Sequence, residues 1–134
     1  MTVNVNKTVT NKVNDDNWLF IFQSAPREKG LTADGLDLCL VAASFGMKVK
    51  LLFLNEGVRH IIKPEIIKQQ GASLPSYTKT FKALADFEIN QCFMLEQSLY
   101  DLNLVESDFT IELEMIETVK MHSLLHSATE VFNF

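Results

Sequence analysis

Cysteine is scarce in this chain, and proline and glycine nearly so: two, three and five residues in 134. Two cysteines cannot build a disulfide framework, and so few prolines and glycines exclude a collagen-like or linker-like chain. No apolar run approaches the ~20 residues that span a bilayer. The opening stretch MTVNVNKTVTNKVNDDN lacks the apolar segment of a signal peptide. A cytoplasmic protein with no membrane association is the expectation. Basic residues are also short, twelve Lys and Arg against seventeen Asp and Glu, giving a net charge of −5 and a pI near 5.1. The longest basic cluster is Lys48 and Lys50 around Val49. Direct nucleic-acid binding, which needs clustered cations facing phosphates, is not expected.

Several motifs are missing as well. Neither G-x-G-x-x-G nor G-x-x-x-x-G-K-S/T occurs, which argues against a glycine-based phosphate cradle. There is no C-x-x-C pair for thioredoxin-type chemistry and no G-x-S-x-G around Ser24, Ser44, Ser73 or Ser98. No cofactor is expected.

What is present is a well-patterned globular chain, 47% hydrophobic and 22% charged. Residues 1–16 read as a flexible polar extension, with Val3-Asn4-Val5 as an alternative edge strand, and residues 17–134 as one domain. Trp18 to Phe22 is a continuous apolar run, the pattern of a strand buried on both faces, closed by Gln23-Ser24-Ala25-Pro26. Thr32 is placed to cap a helix carrying Leu36, Cys39, Leu40 and Ala43 on one face, with Asp34 in its first turn and Gly46 as its stop. Val49 to Leu54 reads as the second strand, ended by Asn55-Glu56-Gly57. Short helical turns follow at 58–62 and 65–70.

Ser76 is placed to cap a helix with Tyr77, Phe81 and Leu84 on one side. A third strand lies within Ile89 to Leu95, with a helix near Gln97 to Leu102 after it. Alternation over Phe109 to Leu113 predicts a half-exposed strand. A last helix over 117–127 and an edge strand at 131–134 complete the chain. This alternation predicts an α/β fold, a three-layer α/β/α arrangement around a mainly parallel sheet of about five strands. Ten phenylalanines hint that another subunit covers some apolar surface.

In parallel sheets ligands bind beyond the carboxyl ends of the strands. That makes a crest of three loops the default functional surface: Ser24, Ala25 and Pro26; Asn55, Glu56 and Gly57; Glu96, Gln97 and Ser98. The alternative is that these are only polar strand ends. His122 and His126 stand four apart on the last helix with Glu130 nearby, but no H-E-x-x-H signature accompanies them, and they read as exposed helix residues rather than a metal site. His60, beside Arg59, reads as a surface or interface residue.

Cys39 falls on the apolar stripe of the first helix and reads as a small buried hydrophobe. Cys92 is the one weak catalytic candidate. A working thiol needs exposure and a lowered pKa. Three residues before Leu95, Cys92 would lie ~10 Å below the crest at ~3.3 Å per residue, and Glu96 would raise its pKa rather than lower it. Structural packing is the reading favoured, with a sulfur-accepting thiol as the alternative.

The order and spacing of FIFQSAP (20–26), DGLD (34–37), LLFLNEGV (51–58), TKTFKAL (78–84), FEINQCF (87–93) and SL (98–99) resemble the TusC/DsrF branch of the DsrE-like sulfur-relay family, over Trp18 to Phe134. The resemblance implies a DsrE/DsrF-like fold. It also implies a place in a heterohexamer with TusB/DsrH-like and TusD/DsrE-like subunits, or a homo-oligomer in isolation. Such complexes relay persulfide sulfur toward 2-thiolation of the tRNA wobble uridine or, in the Dsr version, serve sulfur oxidation. The carrier cysteine belongs mainly to the TusD/DsrE subunit, near the end of the strand matching Ile89–Leu95. Met94 and Leu95 stand there in this chain, so the resemblance implies a non-catalytic scaffold. Two features depart from the pattern: no second cysteine follows Cys92, and the polar stretch before Trp18 is longer than usual.

Overall fold

Continuous apolar runs need cover on both faces, and the strands obtain it in one five-stranded sheet of order β4-β3-β2-β1-β5, with every neighbouring pair parallel. The computed structural model describes residues 16–28 and 30–134. The stretch read as a polar extension, with its Val3-Asn4-Val5 alternation, lies outside the described residues apart from Asp16.

The strands are β1 (Asn17–Phe22), β2 (Lys48–Phe53), β3 (Gln91–Leu95), β4 (Glu114–Ile116) and β5 (Glu130–Asn133). Helix α1 (Leu31–Ser44) joins β1 to β2. A 3₁₀ helix (Asn55–Ile61), the short α2 (Pro64–Gln69) and a long 3₁₀ helix (Ser76–Phe87) lead on to β3. Next come α3 (Glu96–Asp101), a 3₁₀ turn (Glu106–Asp108) and β4, and α4 (Thr118–Ser127) leads to β5.

Successive steps from β1 to β4 all move in one direction, and the last step returns across the sheet to β5. Crossovers of one hand then place the first connections on one face and α4 on the other. The core divides accordingly. Phe20, Phe22, Leu51, Phe53, Cys92 and Met94 face Leu36, Cys39 and Phe81 in the larger cluster. Leu19, Ile21, Leu52, Phe93 and Ile116 meet Leu124 of α4 in the smaller. Alternate residues of each strand serve opposite faces, as the period of two requires.

Six of the ten phenylalanines (20, 22, 53, 81, 93 and 109) are buried. Phe22 stacks on Phe53 and meets the edge of Phe81, each at 5.5 Å between centroids, and Phe20 stacks on Phe132 at 4.9 Å. Phe134 lies so close to Gly35 that a Cβ there would collide with its ring, which explains a glycine inside the DGLD segment.

Four local expectations are corrected. Thr32 does not cap α1: the helix starts at Leu31, Gly30 precedes it without a side-chain cap, and Thr32 is buried within the first turn. Ser76 caps nothing either, because Pro75 holds that position and the Thr78 hydroxyl donates to its carbonyl at 2.8 Å. The element after it is 3₁₀, so its buried face repeats every three residues as Thr78, Phe81 and Leu84, with Tyr77 only half-buried. Finally, Phe109 to Leu113 is not a strand. Phe109 makes an isolated antiparallel bridge with Ile62, and Thr110 donates its N–H to the Ile61 carbonyl at 2.8 Å. Its alternation reflects a loop dropping Phe109 into the core.

Candidate functional site: the carboxyl-end crest

Because the strands are all parallel, the residues after β1, β2 and β3 emerge at the same end of the sheet. Two of the three crest loops are joined directly. Ser98, buried in the first turn of α3, accepts a hydrogen bond at 2.8 Å from the Asn55 N–H. Asn55 has φ 52°, in the left-handed region that asparagine tolerates better than most residues. The chain then turns so tightly that a Cβ on Gly57 would overlap the Phe22 carbonyl. That carbonyl also accepts from the Leu54 N–H at 3.1 Å, which fastens the end of β1 to the end of β2.

The first loop is held differently. The N–H groups of Gln23 and Ser24 donate to the Phe134 carbonyl at 2.9 and 3.2 Å, leaving the Ser24 side chain exposed and Ala25 and Pro26 half-buried. Of the remaining crest residues, Asn55, Glu56 and Gln97 are exposed and Glu96 is half-buried. Glu56 pairs with Arg59, Glu96 accepts from the Tyr100 hydroxyl at 2.6 Å, and Gln97 donates to Asp101 at 2.9 Å. The Glu96 carboxylate raises the Tyr100 pKa through that bond and through its charge. The nine expected residues therefore divide. Gly57 and Ser98 are the buried framework, and the others form the half-open or open surface.

His60 is not the surface residue that its neighbour Arg59 suggested. It is 1% exposed and lies directly beneath the crest. Its Nδ1 is 2.9 Å from the Gly57 carbonyl, and its Nε2 is 3.0 Å from the Tyr77 hydroxyl. A carbonyl only accepts, so Nδ1 carries the proton and Nε2 accepts from Tyr77. Burial lowers the ring's pKa from 6.5 to about 4, partly offset by the Gly57 carbonyl. The three-residue period of the 3₁₀ segment was the available signal, since it puts His60 on the same side as Gly57.

Cys92 lies at the other end of β3, second in the strand and paired in register with Leu51. It is 6% exposed, and burial, with no contribution from Glu96, pushes its thiol up to about 12. Cys92 also lines a cavity of about 250 Å³ together with Phe81, Leu84, Ile89, Thr110 and Glu112, well away from the crest loops. Cys39 is fully buried, its pKa also raised, first by burial and then by Cys92. Both thiols are therefore held in the protonated form, the weaker nucleophile. His122 and His126 are exposed on α4, and among the described residues no group of three or more His, Cys, Asp or Glu is arranged to hold a metal. Also among the described residues, no helix is long and apolar enough to cross a membrane.

Fold and crest together define a class: an α/β protein with an all-parallel five-stranded sheet whose loops gather at the carboxyl ends. The crystal structure of the ychN protein from E. coli has the same fold, with a TM-score of 0.70 over 89% of this chain and 99% of that one at 12% identity. The chain belongs to the DsrE/DsrF-like family, whose model matches residues 16–134. Among its relatives, a TusC homolog from Vibrio vulnificus is 26% identical over 117 residues, 86% of this chain and 96% of that protein. A TusC homolog from Haemophilus influenzae is 28% identical over 120 residues, 86% and 97% of the two chains. The intracellular sulfur oxidation protein DsrF of Allochromatium vinosum is 22% identical over 131 residues, 87% and 95%.

Proposed function

We propose that this protein is a TusC/DsrF-like subunit of a cytoplasmic sulfur-relay complex, supporting persulfide transfer toward 2-thiolation of the tRNA wobble uridine. In this reading it is a scaffold. Its crest presents amide, hydroxyl and carboxylate groups to a neighbouring subunit, and the sulfur travels on that neighbour's cysteine. The observation behind this is the placement of sulfur chemistry in the chain. Strand β3 reaches the crest as Met94-Leu95, and both cysteines are buried with raised pKa values. Relatives named TusC support the tRNA branch.

Partners of the TusB/DsrH and TusD/DsrE types, in a heterohexamer, complete the proposal. Co-expression with such subunits should yield a complex that survives gel filtration. A chain that stays alone in their presence would refute the reading. A second reading has its own support: the relative named as an intracellular sulfur oxidation protein points to a DsrF-like role. Loss of 2-thiouridine from tRNA in a deletion strain is expected for the first reading, and intact thiolation for the second. The crest residues Ser24, Ala25, Pro26, Asn55, Glu56, Glu96 and Gln97 are the proposed contact surface, with Gly57 and Ser98 fixing its shape.

A further inference from the structure

A polar chain runs beneath the crest and reaches two of its three loops. It starts at the Gly57 carbonyl, which accepts from the His60 Nδ1–H at 2.9 Å. The neutral ring then presents Nε2 as an acceptor, 3.0 Å from the Tyr77 hydroxyl. Tyr77 is second in the long 3₁₀ helix, and its ring centroid lies 5.9 Å from that of His60. Burial raises the Tyr77 pKa, and hydrogen bonds from the Arg27 backbone and the Thr32 side chain pull it back. A bond that favours a phenolate is one donated to its oxygen, so the Arg27 N–H and the Thr32 hydroxyl both donate there. Thr32, which caps nothing, is thus a buried polar residue with its partner in Tyr77.

These bonds have one consistent sense. A phenol has one proton to give and lone pairs to accept with. The proton goes to His60, and the lone pairs take Arg27 and Thr32. Reversing any one bond sets two donors or two acceptors against each other. His60 in its Nδ1–H form therefore turns the Tyr77 oxygen's lone pairs toward the loop after β1. That loop has little backbone support of its own. Among the described residues, 25–28 make no backbone-to-backbone hydrogen bond. Arg27 directly follows the crest residues Ser24, Ala25 and Pro26, so its tie to Tyr77 fixes where they sit.

We propose that Tyr77 and His60 are positioning residues for the crest, setting the Ser24-Ala25-Pro26 loop against the Asn55-Glu56-Gly57 loop through this chain of hydrogen bonds. Its consequence for assembly rests on the reading of the crest as a subunit contact; the coupling of the two loops does not. Amide exchange in the isolated full chain tests the coupling. Affinity of the same chain for the other subunits of a relay complex tests its use. Tyr77→Phe keeps the ring and removes the oxygen. Exchange at Arg27 should rise about tenfold, as loss of one hydrogen bond allows, and affinity should fall about tenfold. His60 bonds Gly57 and Tyr77 rather than Arg27, yet His60→Leu should also speed exchange at Arg27. His60→Gln, whose amide can donate to Gly57 and accept from Tyr77, should restore it. Wild-type exchange at Arg27 in both Tyr77→Phe and His60→Leu would overturn the coupling and leave the subunit reading standing. Faster exchange throughout the chain, unrelieved in His60→Gln, would overturn it by assigning both residues to general stability. Wild-type affinity in Tyr77→Phe despite faster exchange at Arg27 would overturn the positioning role. A wild-type chain that joins no complex would overturn the subunit reading, and exchange at Arg27 would still decide the coupling.

Discussion

The two ends of β3 have opposite chemistry. At its start Cys92 is packed beside Leu51, with its thiol covered and held protonated. At its finish Leu95 gives way to Glu96, Gln97 and Ser98, where polar groups meet solvent and the neighbouring loop. Sulfur transfer needs a thiolate that can be reached. One end of this strand has the sulfur, almost fully buried and protonated, and the other has the open polar surface without sulfur. A cysteine in a sulfur-relay family is thus no guide to its own role until its position along the strand is known.

The contrast can be broken most severely at the crest. Gly57→Ala drives a methyl group into the Phe22 carbonyl, so the loop must move away from β1. A loss of roughly 3 kcal/mol is expected, at the upper end of overpacking costs, measurable by urea denaturation. Next comes pH. Between pH 6.5 and about 4, the unfolded chain protonates His60 while the buried ring stays neutral. The stability that His60 contributes is therefore complete above pH 6.5 and is lost as pH falls toward 4, by up to roughly 3 kcal/mol. Denaturation midpoints across that range should show the slope in the wild type and a flatter one in His60→Gln.

A smaller effect is expected from Ser98→Ala, which leaves the Asn55 N–H without its acceptor and should cost about 1–2 kcal/mol. Faster hydrogen exchange at Asn55 would accompany it. At the other end of the strand, Cys92→Ala should cost only about 1 kcal/mol, the loss of one small buried group. Its effect on sulfur transfer should be nil.

Much of the fold was legible because β1 carries a continuous apolar run and β2 and β3 end in apolar runs, which a sheet covered on both faces accepts. The gathering of three loops at one crest followed from the parallel order alone. What misled were local signals that tertiary contacts override. Thr32 and Ser76 look like caps, yet a buried first turn and Pro75 occupy those roles. The alternation after Phe109 looks like a strand, but the Ile61–Lys63 segment captures its backbone groups before the sheet does. His60 was missed because the groups around it, Phe22, Phe81 and the Tyr77 hydroxyl, come from other elements of the chain. The depth of Cys92 was legible from strand geometry, but the source of its raised pKa was not, since burial and not Glu96 is responsible.

The most direct test of the scaffold role is intact-protein mass spectrometry of the assembled complex while a cysteine desulfurase supplies sulfur. The expected result is added sulfur on a partner subunit and none on this chain, with the same transfer rate in the Cys92→Ala complex. A persulfide on Cys92, together with loss of transfer in that variant, would contradict it.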